Sequence, residues 1–321
     1  MTRTLLLLAL TAAVPAGAQS FEAPALRSGQ GTLAVVGGDE RSPLPAGVLL
    51  TAITPAGPEA DWLAAGTAGE TRLVLVRGDG DRHETIAPPR ETAATVAEPL
   101  PVADERGRLV GLAWLAGRDR DSLAVRFAPW EGDRWGRPVT VAPPGPGSQL
   151  ALAAAASGSS VVLAWSRFDG QDDEILVSRR SRGRWSAPRP VTANSVPDVT
   201  PAVAADRDGF LVVWSGFSEG EYRLFGSRLR GDTWQTRTPF GPPGSLFPTL
   251  VAHGDGHLLL YRDVHARAWT VTALDGTGRA LRRTRIAAGP DASPVFVAAD
   301  RDSVRLFALG REHDLTWETL P

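Results

Sequence analysis

The feature that most constrains this chain is a repeat. Trp114, Trp165 and Trp214 stand 51 and 49 residues apart, and Tyr261 follows 47 residues later. Second tryptophans, Trp135, Trp185 and Trp234, follow the first three by 21, 20 and 20 residues. A period of this length marks one supersecondary unit used several times, each burying its apolar face against the next. The plan is clearest over residues 198–234. Apolar runs at 201–205, 210–214 and 222–228 precede a last run that opens at Trp234. Each run is about 4–7 residues long, which suits a strand and not a helix. The turn Asp206-Arg207-Asp208-Gly209 supplies Asp side chains that bond local backbone and a Gly that accepts positive φ. Residues 104–107 and 253–256 hold the same place in their own units.

Four short antiparallel strands per unit describe one blade of a propeller. The reading is therefore all-β, a single β-propeller of four-stranded antiparallel blades. Units begin near Pro99, Gln149, Thr200, Phe247 and Ser293. The Pro/Gly-rich stretches 141–148 and 239–245 are crossings between blades. Residues 21–97 are less regular: 32–36, 48–53, 62–65 and 72–77 read as strands, without the paired tryptophans. The unit after Ser293 has room for about three strands of ~5–6 residues. An open edge is an aggregation hazard, so a strand within 21–36 is expected to close the ring between the N- and C-terminal strands. Residues 1–18 read as a signal peptide: Arg3, an apolar run over 5–14, then Ala16-Gly17-Ala18 as a cleavage site. Six blades fit the 303 residues from 19 to 321; seven fit if 31–57 make a reduced blade. Secretion or a periplasmic location is the expected destination, not as a lipoprotein.

The third-strand ends carry a resemblance. Ser227-Arg228-Leu229-Arg230-Gly231-Asp232-Thr233-Trp234 is similar to the Asp-box of the sialidase and BNR-repeat propellers, S-x-D-x-G-x-x-W. Ser, Gly and Trp match, and Leu229 replaces the Asp. Residues 178–185 keep the spacing with Arg180 for the Asp and Gly183 shifted; Ala128, Gly132 and Trp135 keep a remnant, and Thr272 and Gly276 less. The resemblance covers residues ~98–310 in degenerate form. It implies a ligand face opposite the Asp-box turns. A sialidase site would also need an arginine cluster, a Tyr/Glu nucleophile pair and an acid Asp. The sequence has two tyrosines. Tyr261 takes a repeat Trp position, whereas Tyr222 beside Glu221 could act as the aryl nucleophile. The family's Arg-Ile-Pro motif is absent.

Composition narrows the classes further. The net charge is −2, which gives no global field to recruit nucleic acid or an anionic membrane. All 34 basic residues are Arg, which reads as a GC-rich coding bias before it reads as carboxylate recognition. The absence of Cys excludes disulfides, thiol catalysis and thiolate metal sites. After the leader no apolar run approaches the ~18 residues of a membrane span. No P-loop, Gly-x-Gly-x-x-Gly or Gly-x-Ser-x-Gly is present, and no cofactor is expected. His253 and His257 are four apart, but across a hairpin they read as exposed turn residues and not as metal ligands. The turn at Asp206 resembles the start of a calcium loop without its later ligands. No metal site is expected.

The loops joining second to third strands differ between units in length and composition, while the opposite turns keep Asp/Gly forms. Repeat folds hold scaffold positions constant and vary the binding face. The candidate ligand-binding residues are Arg118, Asp119 and Asp121; Arg167, Asp169, Asp172 and Asp173; Glu221 and Arg223; and Arg262 and Asp263. If they converge they form a basin of both signs suited to a sugar or a peptide; the plainer reading is solvated loops whose ion pairs contribute little. Trp130 and Trp269 fall outside the repeat and are the candidates for stacking on a sugar. The function expected is an exported, non-catalytic propeller that binds a glycan or protein or acts as a scaffold; the alternative is a secreted sialidase-like glycoside hydrolase.

Overall fold

A computed structural model of the chain describes residues 62–286 apart from 80–81, 146, 148, 207–208, 231–232, 236 and 254, together with strands at 26–27, 32–33, 42–43, 48–55, 293–299, 304–309 and 315–320. The expected signal peptide lies outside the described residues. The regular structure described is all β, with antiparallel pairing and no helix among the described residues.

Six sheets of three to five strands follow one another along the chain, besides one two-stranded pair. The first is built on Val48–Pro55, Trp62–Ala68, Arg72–Asp79 and Arg82–Ile86 in that order, so the irregular N-terminal region holds a full four-stranded unit despite its lack of a tryptophan pair. The next four begin at Thr95–Ala103, Gln149–Ser157, Asp198–Asp206 and Ser245–His253, as the repeat predicts. The sixth has three strands, Ser293–Ala299, Val304–Leu309 and Leu315–Leu320. First strands of successive sheets lie side by side, and Ser293–Ala299 also lies against Val48–Pro55. The two short strands within 21–36 pair differently from the expectation. Leu26–Arg27 joins Val48–Pro55, and Thr32–Leu33 pairs with Ser42–Pro43. Neither is paired with Leu315–Leu320 among the described residues.

The second strands are continuous apolar runs, because both of their faces are covered by neighbouring sheets. Trp114, Trp165, Trp214 and Tyr261 are fully buried. Each packs into the sheet before its own: Trp165 among Leu123, Val125 and Phe127, and Trp214 among Val162, Ala164 and Ile175. Tyr261 meets Val213 and Leu224, and Trp114 meets Leu73 and Leu75. The second tryptophans pack the same interfaces from the rim. Trp185 sets its edge on Phe127 at 5.1 Å, and Trp135 donates Nε1–H to the Ala87 carbonyl at 2.7 Å.

Every first strand shifts register near its start, at 50/52, 97/100, 150/153, 199/202, 246/249 and 294/296. In four of these bulges a non-glycine residue is left-handed: Glu98, Ala151, Thr200 and Phe247, with φ between 48° and 55°. Such residues cost about 1–3 kcal/mol each and persist only where the surroundings enforce them. Here the bulge frees backbone N–H groups, and the preceding sheet takes them. Leu152 N donates to Glu98 Oε2 at 2.7 Å, and Phe247 N donates to Ser215 Oγ at 3.1 Å. The bulges thus convert a broken ladder into bonds between sheets.

The turns at the ends of the third strands repeat one geometry in two sheets. Ser178 Oγ donates to the Ser186 carbonyl at 2.8 Å, and Ser227 Oγ to that of Gln235 at 2.6 Å. On the same side, Asp104 closes its turn by accepting from the Arg106 and Arg108 amides and from the Arg108 guanidinium.

One histidine departs from expectation. His257 is buried, 3.4 Å by Nε2 from the Asp206 carboxylate, which also pairs with Arg228. It is not an exposed turn residue, because its strand position faces the fourth sheet; the His253 side chain lies outside the described residues. Burial outweighs the attraction of Asp206, and with help from Arg228 it moves His257 from 6.5 down to about 4. A folded-state pKa below the unfolded one means the unfolded chain binds more protons between those values. Stability is therefore kept above pH 6.5 and lost as pH falls toward 4, by at most about 1.4 kcal/mol per pH unit. His257→Gln should flatten the denaturation-measured stability profile over this window relative to the parent; parallel losses in both proteins would refute the assignment.

Candidate functional site

The loops between second and third strands carry the predicted residues, and they fall into distinct groups. In the second sheet Leu109–Gly117 turns into Leu123–Pro129. Arg118 Nε meets Asp119 at 3.1 Å, Ser122 Oγ donates to Asp119 at 2.6 Å, and Asp121 is exposed. The Ser122 hydroxyl, then Arg118, holds the Asp119 carboxyl below its usual value. Arg120 reaches back to Glu70 of the first sheet at 2.7 Å. These charges serve their own turn or its neighbour.

The third sheet is different. Asp169 caps the turn between Ser160–Phe168 and Asp173–Ser181: its Oδ1 accepts from the Gln171 amide at 2.8 Å and the Asp172 amide at 3.3 Å. Those two bonds hold its carboxyl low. The tight turn then folds Asp172 inward. Its carboxylate is buried, and neither oxygen meets a hydrogen-bond donor. Burial, then the charges of Glu174 and Asp169, pushes the Asp172 carboxyl up. Glu174 is also buried; Oε1 accepts from the Asn194 amide at 2.6 Å while Oε2 has no donor. One oxygen from each of Asp169, Asp172 and Glu174 lies within 4.8 Å of the others. The register sets Arg167 directly opposite Glu174, with its Nε buried and lacking an acceptor.

Strand alternation sends Asp173 to the other face, with Ile175 and Val177, toward the fourth sheet. There it joins Asp198 and Tyr222. Asp198 is fully buried and accepts from Trp214 Nε1 at 2.7 Å and Asn194 Nδ2 at 2.6 Å. Burial dominates and raises its carboxyl to about 6 despite those two donors. Tyr222 packs edge-on to Phe217 at 5.3 Å. Its neighbour Glu221 lies on the opposite face of the strand and reaches His265 Nε2 of the fifth sheet at 2.6 Å. Arg223 is half-buried opposite Gly216. In the fifth sheet Arg262 is half-buried, and burial lowers its pKa; Asp263 accepts from the Ala266 amide at 2.9 Å.

The structure thus gathers Arg167, Asp169, Asp172 and Glu174 at one point, sets Asp173 beside Tyr222, and leaves Arg118, Asp119 and Asp121 in their own turn. Asn194 and Asp198 belong to the site and were not predicted. Asp198 had a signal, a polar residue opening a first strand as Gln149 and Ser245 do, all fully buried; Asn194, in the linker before that strand, had none. Neither stacking candidate stands free at these loops. Trp269 is buried within the fifth sheet, and Trp130 packs on Trp135 at 4.8 Å just beyond the end of Leu123–Pro129. A separate open cleft of about 560 Å³ lies beside the first-to-second-sheet linker, lined by Arg90, Glu91, Arg126 and Arg137 among others.

No protein-family model matches the chain, and no curated protein matches it. Solved structures do. A puromycin hydrolase superposes with a TM-score of 0.56 at 14% identity over 88% of this chain and 46% of that one. A puromycin-hydrolyzing peptidase of Mycobacterium tuberculosis gives 0.55 at 14% identity over 88% and 46%. The polysaccharide lyase Uly1 gives 0.51 at 13% identity over 84% and 73%. The chain spans about half the length of the two hydrolases. At these identities the likeness is one of fold, and the structural neighbours are β-propeller proteins.

The environment of Tyr222 can be read directly. Burial, then the charges of Asp173 and Asp198, raises its phenol from 10.0 to about 12. In Tyr261→Phe, which leaves one tyrosine, the ultraviolet phenolate signal should emerge near pH 12. Ionisation near pH 10 with the fold intact, as judged by circular dichroism, would contradict this environment.

Proposed function

We propose that the chain is an exported, six-bladed β-propeller of the sialidase-like kind, with worn Asp-boxes, that binds a glycan or protein at the mouth formed by its second-to-third-strand loops and does not catalyse a reaction. Six sheets in series, and the contact of Ser293–Ala299 with Val48–Pro55, support a closed ring of six. The leader-like start supports export.

The observation that carries the binding site is an asymmetry between the two faces. On the Asp-box side, Asp104 and Asp275 spend their carboxylates on their own turns; Asp275 accepts from Thr277 and from the Arg279 amide. At the mouth, Asp172 and Glu174 keep open acceptor oxygens although both are buried. Buried polar groups without partners cost free energy, and a ligand rich in hydroxyl or amine donors would satisfy them. A neutral or amine-bearing glycan suits this charge better than a sialoside, whose carboxylate meets three acids beside one Arg. The hydrolase reading is weaker for a physical reason. The Tyr222 phenol is pushed to about 12, and Glu221 reaches His265 from the opposite face, so the pair lacks the base that would activate it.

A glycan array run beside a fluorogenic sialoside assay tests both readings. Binding without turnover is expected, and Asp172→Asn with Glu174→Gln should weaken it by more than the ~1 kcal/mol of exposed ion pairs, with little change in melting temperature. Sialoside turnover lost in Tyr222→Phe or Glu221→Gln would replace this reading with the hydrolase; binding that survives the double change would move the site elsewhere.

A further inference from the structure

The three carboxylates of the third sheet pose a problem that the loop does not solve internally. Asp169 uses Oδ1 for its own turn. Asp172, 7% exposed, has no donor on either oxygen, and Glu174, 4% exposed, has none on Oε2. Adjacent anions removed from water are costly unless a positive charge answers them. A cation, Arg167, stands across the strand pair from Glu174. Its Nε is itself without an acceptor. The turn therefore gathers negative charge, buries it, and leaves its lone pairs convergent.

We propose that this turn is a cation site in which the carboxylates of Asp169, Asp172 and Glu174 ligate one divalent ion of the calcium type. The donor set is all oxygen and all carboxylate, the preference of hard cations, with neither the imidazole nor the thiolate that zinc and copper favour. Calcium holds its oxygens at about 2.3–2.6 Å, so oxygens on opposite sides of one ion lie up to about 5 Å apart. The 4.8 Å limit on the three oxygens fits a shared centre of that size. Two ligands come from a stiff strand edge, Glu174 and the adjacent Asp172, and the third from an exposed loop residue, Asp169. Calcium tolerates such an irregular set, whereas magnesium demands near-ideal octahedral geometry. Asp169 opens the site to solvent, so the remaining positions fall to water or to ligand oxygens. The ion would take the oxygens of Asp172 and Glu174 that the glycan reading leaves to ligand donors, so it competes with direct donor contacts there, and its test uses no glycan.

The full chain is stripped with chelator and titrated with calcium chloride in a calorimeter, with magnesium chloride in parallel, and its melting is followed with and without each ion. The parent should bind one calcium per chain, more tightly than magnesium, and melt higher with it. Asp172→Asn and Glu174→Gln should each weaken calcium by at least about tenfold, given that even outer-shell losses cost 10–100-fold. In chelator Asp172→Asn should melt at or above the parent, because it removes a buried charge that nothing answers; this separates loss of a ligand from loss of the fold. The exposed Asp169→Asn gives the same reading should either buried variant fail to fold. No calcium-dependent heat or melting shift in the parent, unchanged calcium affinity in the folded variants, or magnesium bound as tightly as calcium would overturn the proposal.

Discussion

A buried aromatic side chain at each of the four contacts between the first five sheets is the interaction on which the rest of this structure depends. Trp114, Trp165, Trp214 and Tyr261 all sit at zero exposure, each driven from its own second strand into the preceding sheet. Large aromatics bury 150–250 Å² apiece and dominate core energetics. A four-stranded sheet of this size cannot hold itself together with both faces wet. Each unit therefore exists by virtue of its neighbours, and the chain, which has no cysteine, has no covalent staple to substitute for them.

The polar architecture follows from the same arrangement. First strands crowd at their starts, and the bulges with left-handed Glu98, Ala151, Thr200 and Phe247 turn them to fit. The polar groups that crowding frees are answered across the interface, as Glu98 answers Leu152 and Ser215 answers Phe247. Asp198 holds Trp214 by its indole N–H, and Glu91 holds Trp114 in the same way at 2.9 Å. Where this answering stops, at the turn after Phe168, open acceptors remain. The candidate site is thus one place where such answering is left incomplete; the indole N–H of Trp165 is another.

Much of the fold was legible because the determining pattern is one-dimensional. The tryptophan period located the second strands, and the runs between Asp/Gly turns located the others; the starts near Gln149, Thr200 and Ser293 fell on observed strands. Residues 62–86 were harder to place as a full unit, since their interface contributes Ala65, Leu73 and Leu75 in place of an indole. The pairing of Leu26–Arg27 with Val48–Pro55 was not visible, since two-residue strands leave no periodicity to read. The site was legible by residue type but not by grouping. Asp169, Asp172 and Glu174 meet because of one tight turn and strand alternation, while the adjacent Asp173 is turned to the other face. His257 was misread because its burial is set by Asp206 and Arg228 of another unit.

The claim that indole packing between sheets holds the whole chain together is tested most directly by Trp165→Ala in urea unfolding, followed by fluorescence and circular dichroism together. Removing a fully buried Trp costs about 3–5 kcal/mol. In an array coupled by its interfaces, the account predicts a loss of that size in one cooperative transition shared by both probes. A loss below about 1 kcal/mol, as for an exposed residue, or a split in which the first two sheets unfold apart from the rest, would contradict it.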